Sequence, residues 1–105
     1  MIHPTIPLLS GKEGLAYGTC LATTGFEAVF KGRPAHAGGA PLLGVNAIDA
    51  ASLAYTTVGM LTQQIRPTDR INILVKTREG PANIIADETA IQCAVRSATF
   101  GDIKA

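Results

Sequence analysis

The sequence contains no tryptophan and only five other aromatic residues, Tyr17, Phe26, Phe30, Tyr55 and Phe100. They form no stacking run of the kind single-strand nucleic-acid binders use. Charge is sparse: nine Lys and Arg stand against eight Asp and Glu, a net charge of +1. No basic patch is available to neutralise phosphates, which argues against nucleic acid as a partner. No apolar run approaches the ~20 residues of a membrane span, and the opening "MIHPTIPLLSGKEG" lacks the basic and apolar regions of a signal peptide. There are two cysteines, Cys20 and Cys93, without C-x-x-C spacing. Reduced thiols in a cytoplasmic protein are expected, with a disulfide as the lesser alternative.

At 105 residues the length fits about one domain with one modest core. Residues 1–14 carry Pro4, Pro7, Gly11 and Gly14 and follow neither periodicity, so they read as an irregular lead-in. Between Ala16 and Lys31 the β-favouring residues accumulate, and Phe26, Ala28 and Phe30 alternate with Glu27, Val29 and Lys31 as in a strand with one buried face. The Pro and Gly of "RPAHAGGAPLLG" make a loop. Ile48, Ala51, Tyr55, Val58, Leu61 and Ile65 then recur at helical spacing, predicting a helix over Val45 to Ile65 with Asn46 as N-cap, Asp49 in its first turn and Pro67 beyond its end. Ile71, Ile73 and Val75 alternate in a second strand, "REGPAN" turns, and Ile91, Cys93 and Val95 alternate in a third. Thr99 with Asp102 three residues later opens a further helix just before the end of the sequence, so the chain is expected to be truncated at its C-terminus. The order is strand, helix, strand, strand, helix. It predicts an α+β fold: a two-layer α/β sandwich of ferredoxin-like split βαβ type with an antiparallel sheet.

Motifs for self-contained chemistry are missing. "HAGGAPLLG" fits neither dinucleotide nor P-loop spacing. Ser10, Ser52 and Ser97 show no nucleophile-elbow pattern. His3 and His36, the only histidines, are far apart, with no H-E-x-x-H and no clustered carboxylates, so a closed metal site is not expected.

Four separated stretches nevertheless resemble one family in the right order: "VFKGRPAHAGGAPLLGVNAIDAA", "QQIRPTDRINILV", "GPANIIAD" and "IQCAVRSAT". They are similar to the lid, or dimerisation, domain of the di-zinc metallopeptidase family of aminoacylases, amidohydrolases and carboxypeptidase-G-like enzymes. "GVNAIDAA" and the "QQ" before "RP" place the likeness nearest the amidohydrolase and aminobenzoyl-glutamate hydrolase branch. The resemblance implies an incomplete lid over residues 15–105, with 1–14 leading in from a catalytic domain. It implies a homodimer paired through a helix and an edge strand, and zinc held almost wholly by the catalytic domain. The substrate would be a small molecule with an amide bond, a dipeptide or N-acyl amino acid.

The same resemblance supplies the candidate site residues. His36 falls on the lid histidine that reaches across the dimer and polarises the scissile carbonyl. Asn83 matches the asparagine near the scissile group. Arg96 matches the arginine that binds the substrate carboxylate, and the strand parity leaves it on the face opposite Ile91, Cys93 and Val95. His3, in "IHP", falls near the last catalytic-domain zinc ligand, as a metal ligand of the full-length enzyme only. Two departures stand out: Ala86 where the family usually has proline, and "TREGPAN" in place of a double glycine. A free-standing ferredoxin-like dimerisation or ligand-binding regulatory module is the competing reading, and the chain alone is expected to be inactive.

Overall fold

The computed structural model describes residues 20–104. The lead-in over residues 1–14 and His3 lie outside them. β1 spans Ala22–Lys31, α1 Ala47–Met60, β2 Arg70–Thr77, β3 Glu88–Ser97 and α2 Phe100–Lys104. The strands form one antiparallel sheet in the order β1-β3-β2, so the last strand in sequence is the central one. The helices pack on it to make the expected α+β sandwich.

The period-two alternation sorts β3 cleanly. Thr89, Ile91, Cys93 and Ser97 are buried and Val95 half-buried on the helix side, while Glu88, Gln92 and Arg96 point outward and are exposed. Burial raises the Cys93 thiol above its ordinary pKa. It is free, as is the exposed Cys20. Phe26, Ala28 and Phe30 share the helix side of β1, but Phe26 remains 56% exposed, since β1 forms an edge of the described sheet.

α1 is shorter than its sequence periodicity suggests. Asn46 is its N-cap: the side chain accepts from Ile48 N at 3.1 Å and donates to Asp49 Oδ1 at 2.7 Å. After Met60 the chain tightens into a 3-10 turn, Leu61–Gln63, in which the Thr62 hydroxyl donates to the Gly59 carbonyl and Gln64 N to the Leu61 carbonyl. The seam against the sheet also differs from expectation. Ala47 and Ala51 are buried and Ala54 and Val58 half-buried, whereas Ile48 and Tyr55 are exposed. Small side chains let α1 lie close over β3, and the large apolar ones turn outward. None of the helices described is long and apolar enough to cross a membrane.

α2 is fastened by side chains. Thr99 Oγ1 accepts from Asp102 N at 3.2 Å and donates to Asp102 Oδ2 at 2.6 Å, while the Arg66 guanidinium pairs with Asp102 Oδ1. The Thr99 hydroxyl, then the Arg66 guanidinium, hold the Asp102 carboxyl below the usual carboxylate range. A depressed pKa contributes stability that is present above the unfolded-state value of about 4 and is lost as pH falls through the folded one. Acidification below about pH 4 is therefore expected to loosen α2, seen in the amide signals of Gly101 and Ile103, and Asp102→Asn should remove that acid step. An unchanged acid profile in the variant would count against the linkage.

Candidate functional site

The loop after β1 has few buried side chains, so its shape depends on where its backbone groups bond. Gly32 N donates to the Asp87 carbonyl at 2.7 Å, and Arg33 and Val45 exchange both N–H···O bonds at 2.9 Å. Only glycine fits at 32, because a Cβ there would sit 2.0 Å from the Val45 carbonyl oxygen. Arg33 Nε donates to the Leu43 carbonyl at 2.5 Å, closing the loop over the 3-10 turn Pro41–Leu43. Further along, Ile85 N donates to the Ala35 carbonyl and Ala37 N to the Asn83 carbonyl, both at 2.8 Å, around an isolated antiparallel bridge between His36 and Ile84.

That bridge brings His36 and Asn83 together from opposite halves of the chain. His36 is exposed at the start of a turn, its carbonyl accepting from Ala40 N at 2.9 Å. Its Nδ1 accepts from Gly38 N at 3.2 Å and from Gly39 N at 2.9 Å. Asn83 is exposed in a turn closed by Ile84 N donating to the Pro81 carbonyl at 3.1 Å, and its amide makes no hydrogen bond among the described residues. The substitution at Ala86 is accommodated: its amide meets no backbone carbonyl among the described residues, and its carbonyl accepts from Ala47 N at 2.9 Å. Proline would keep that acceptor. A cleft of about 680 Å³ opens beside this turn pair, between Pro34, Ala37, Asn46, Arg78, Glu79 and Ile84.

Arg96 lies elsewhere. The His36–Asn83 pair sits beyond the Glu88 end of β3, and Arg96 is one residue from the other end. β3 has ten residues, so at ~3.3 Å each its ends are roughly 30 Å apart. On the outer face Arg96 stands opposite Thr23 on β1 and Arg70 on β2. The Arg70 guanidinium donates to the Pro67 and Asp69 carbonyls, whereas Arg96 makes no hydrogen bond or ion pair among the described residues. Two like charges thus stand directly across the ladder from each other, an unfavourable cross-strand pair by itself.

Sequence reasoning does not single out Arg70, although its parity with Asn72 and Leu74 places it on the Arg96 side. Nor does it find the ion pair of Lys76 Nζ with Glu27 Oε2 at 2.7 Å, which spans β3 on the same face. No three His, Cys, Asp or Glu side chains converge among the described residues, and the donor set of residues 20–104 does not fit a zinc ion.

Residues 22–105 of this sandwich match the family described as peptidase dimerisation domain. The chain belongs to that family. Over 85 residues it is 38% identical to the Xaa-Arg dipeptidase of Mus musculus, a match covering 81% of this chain and 18% of that protein. It is 39% identical over 77 residues to a homolog of a p-aminobenzoyl-glutamate hydrolase component from Haemophilus influenzae, covering 72% of this chain and 18% of that one. Among solved structures, the aminobenzoyl-glutamate utilization protein of Klebsiella pneumoniae superposes with a TM-score of 0.60 at 27% identity, over 80% of this chain and 21% of the other. The chain therefore spans about a fifth of the length of the relatives it matches.

Proposed function

We propose that this chain is the lid and dimerisation domain of a zinc-dependent amidohydrolase that cleaves an amide bond in a dipeptide or N-acyl amino acid, and that it acts as a homodimer. The separation of its candidate site residues carries the reading. A dipeptide reaches about 7 Å at 3.3–3.6 Å per residue, far less than the ~30 Å that β3 puts between Arg96 and the His36–Asn83 pair. One chain cannot offer all three to one substrate. A two-fold pair of chains can, if each active site takes His36 and Asn83 from one protomer, with Arg96 from the other.

Pairing through α1 and the free edge of β2 suits the surface. Leu53 and Met60, seven residues apart on one face of α1, are 69% and 64% exposed, and β2 is a terminal strand of the described sheet. Within such a site the His36 imidazole donates to the oxyanion that develops on the scissile carbonyl. The Asn83 amide supplies a second polar contact near the scissile group, and Arg96 holds the substrate carboxylate with its planar fork. The zinc and the general base belong to the catalytic domain, and residues 1–14 form the lead-in from it.

Complementation between two inactive variants of the hydrolase carrying this domain tests the arrangement. His36→Ala and Arg96→Ala homodimers should each be nearly inactive. In a mixed dimer one site receives both wild-type groups and the other receives neither, so about half of the wild-type activity should return per mixed dimer. If one protomer supplies both residues to a site, each site of the mixed dimer is missing one group and nothing returns.

A further inference from the structure

We propose that the backbone amides of Gly38 and Gly39 form a two-donor seat that fixes His36 as its Nε2–H tautomer, committing the side chain to hydrogen-bond donation outward. The inference builds on the oxyanion role given to His36 above, but the seat itself belongs to the domain and can be observed without catalysis.

A neutral imidazole carries one proton, and the nitrogen without it is the ring's only acceptor. Two amides address Nδ1, at 3.2 Å from Gly38 and 2.9 Å from Gly39. A proton on Nδ1 would face two N–H donors, so it must lie on Nε2. Turning the ring by half a revolution would present a C–H to both amides, and neither has another backbone acceptor among the described residues. The hydrogen bonds therefore determine both the ring orientation and the tautomer.

The two glycines lie close against the ring. A Cβ on Gly39 would lie 3.4 Å from Nδ1 and 3.7 Å from Cγ, at the near edge of ordinary van der Waals contact. At Gly38 it would lie 3.6 Å from Cε1 and 3.7 Å from Nδ1, an ordinary contact. The bonds that flank the seat are all main-chain: Ala37 N to the Asn83 carbonyl and Ala40 N to the His36 carbonyl. The turn is thus held independently of the imidazole and presents Nε2–H away from itself. In this state His36 has no free lone pair, so it can stabilise negative charge but cannot take a proton from an attacking water. The chemistry assigned to it is that of a fixed dipole. Gly38 and Gly39 are positioning residues: they touch no substrate and act through the imidazole.

Two measurements test the seat. The first is nitrogen NMR of the uniformly ¹⁵N-labelled chain at a pH where His36 is neutral. A single tautomer with the proton on Nε2 is expected, together with scalar couplings across the hydrogen bonds from the Gly38 and Gly39 amides to Nδ1. A protonated Nδ1, or averaged tautomers without such couplings, overturns the proposal. The second compares His36→Gln with His36→Asn in the dimeric hydrolase. The glutamine amide reaches the position of Nε2, whereas the asparagine amide stops near Nδ1. Glutamine should keep kcat within about tenfold of wild type while asparagine falls about 100- to 1000-fold, the range for losing an oxyanion donor, with KM little changed in both. Equal losses with glutamine and asparagine overturn the outward Nε2–H donor. Couplings seen alongside a fully active His36→Ala enzyme would instead refute the catalytic reading and leave the seat standing.

Discussion

If the full-length protein is the dimeric amidohydrolase proposed above, replacing His36 with alanine is expected to lower its kcat by about 100- to 1000-fold, the usual range for removing one oxyanion donor. Folding and association should be unchanged. The imidazole is exposed and packs into no core, and the turn that carries it is tied by backbone bonds at Ala35, Ala37 and Ala40 that alanine keeps. The amides of Gly38 and Gly39 lose their acceptor, but both residues are exposed and water can replace it. A catalytic role therefore predicts a change in kcat with KM and melting temperature close to wild type. If the variant instead lost activity in proportion to lost fold, as circular dichroism would show, His36 would be a structural residue of the loop. A loss of less than about threefold would remove it from the chemistry.

The largest effect on stability is expected from Gly32→Ala. A methyl group there would be forced to 2.0 Å from the Val45 carbonyl oxygen, 3.0 Å from its carbon and 3.1 Å from Ala47 N. These are main-chain atoms at the start of α1, so no side chain can swing away. Relief requires parting the loop from the helix and breaking the Arg33–Val45 bridge or the bond from Gly32 N to Asp87. Overpacking of this kind costs about 3 kcal/mol or more, which in a domain of this size lowers the melting temperature by roughly 12–24 °C. Gly80→Ala provides the comparison, since nothing lies within 4 Å of the added carbon, and it should stay within about 0.5 kcal/mol of wild type. Equal melting of the two variants would mean that the loop is not clamped as described.

Local rules carry much of the architecture. Alternation places the three strands and the inward face of β3, Asn46 announces the start of α1, and the Thr99–Asp102 spacing announces α2, where each side chain makes the cap its type favours. The face of α1 escapes this reading because periodicity weights large apolar residues. Ile48 and Tyr55 fit the pattern, yet the sheet accepts Ala47, Ala51 and Ala54, whose size permits a close crossing. The His36–Asn83 pairing arises from a bridge between positions 36 and 84, and no local periodicity encodes contacts at that separation. Only the resemblance to a family links them. Arg96 is legible through parity, but its distance from the other two depends on β3 being a single straight strand at the centre of the sheet.

Among the described residues the buried apolar side chains are just Ala47, Ala51, Ile91 and Cys93, two of them a single methyl group. A core this slight gives a lone protomer little margin over the entropy of its unfolded chain. Wherever a second copy covers Leu53 and Met60, association and folding draw on the same apolar surface and become one equilibrium. Robustness then ceases to be a property of the sequence alone. It varies with how much of the protein is present, the melting temperature climbing as the solution is concentrated and sinking on dilution.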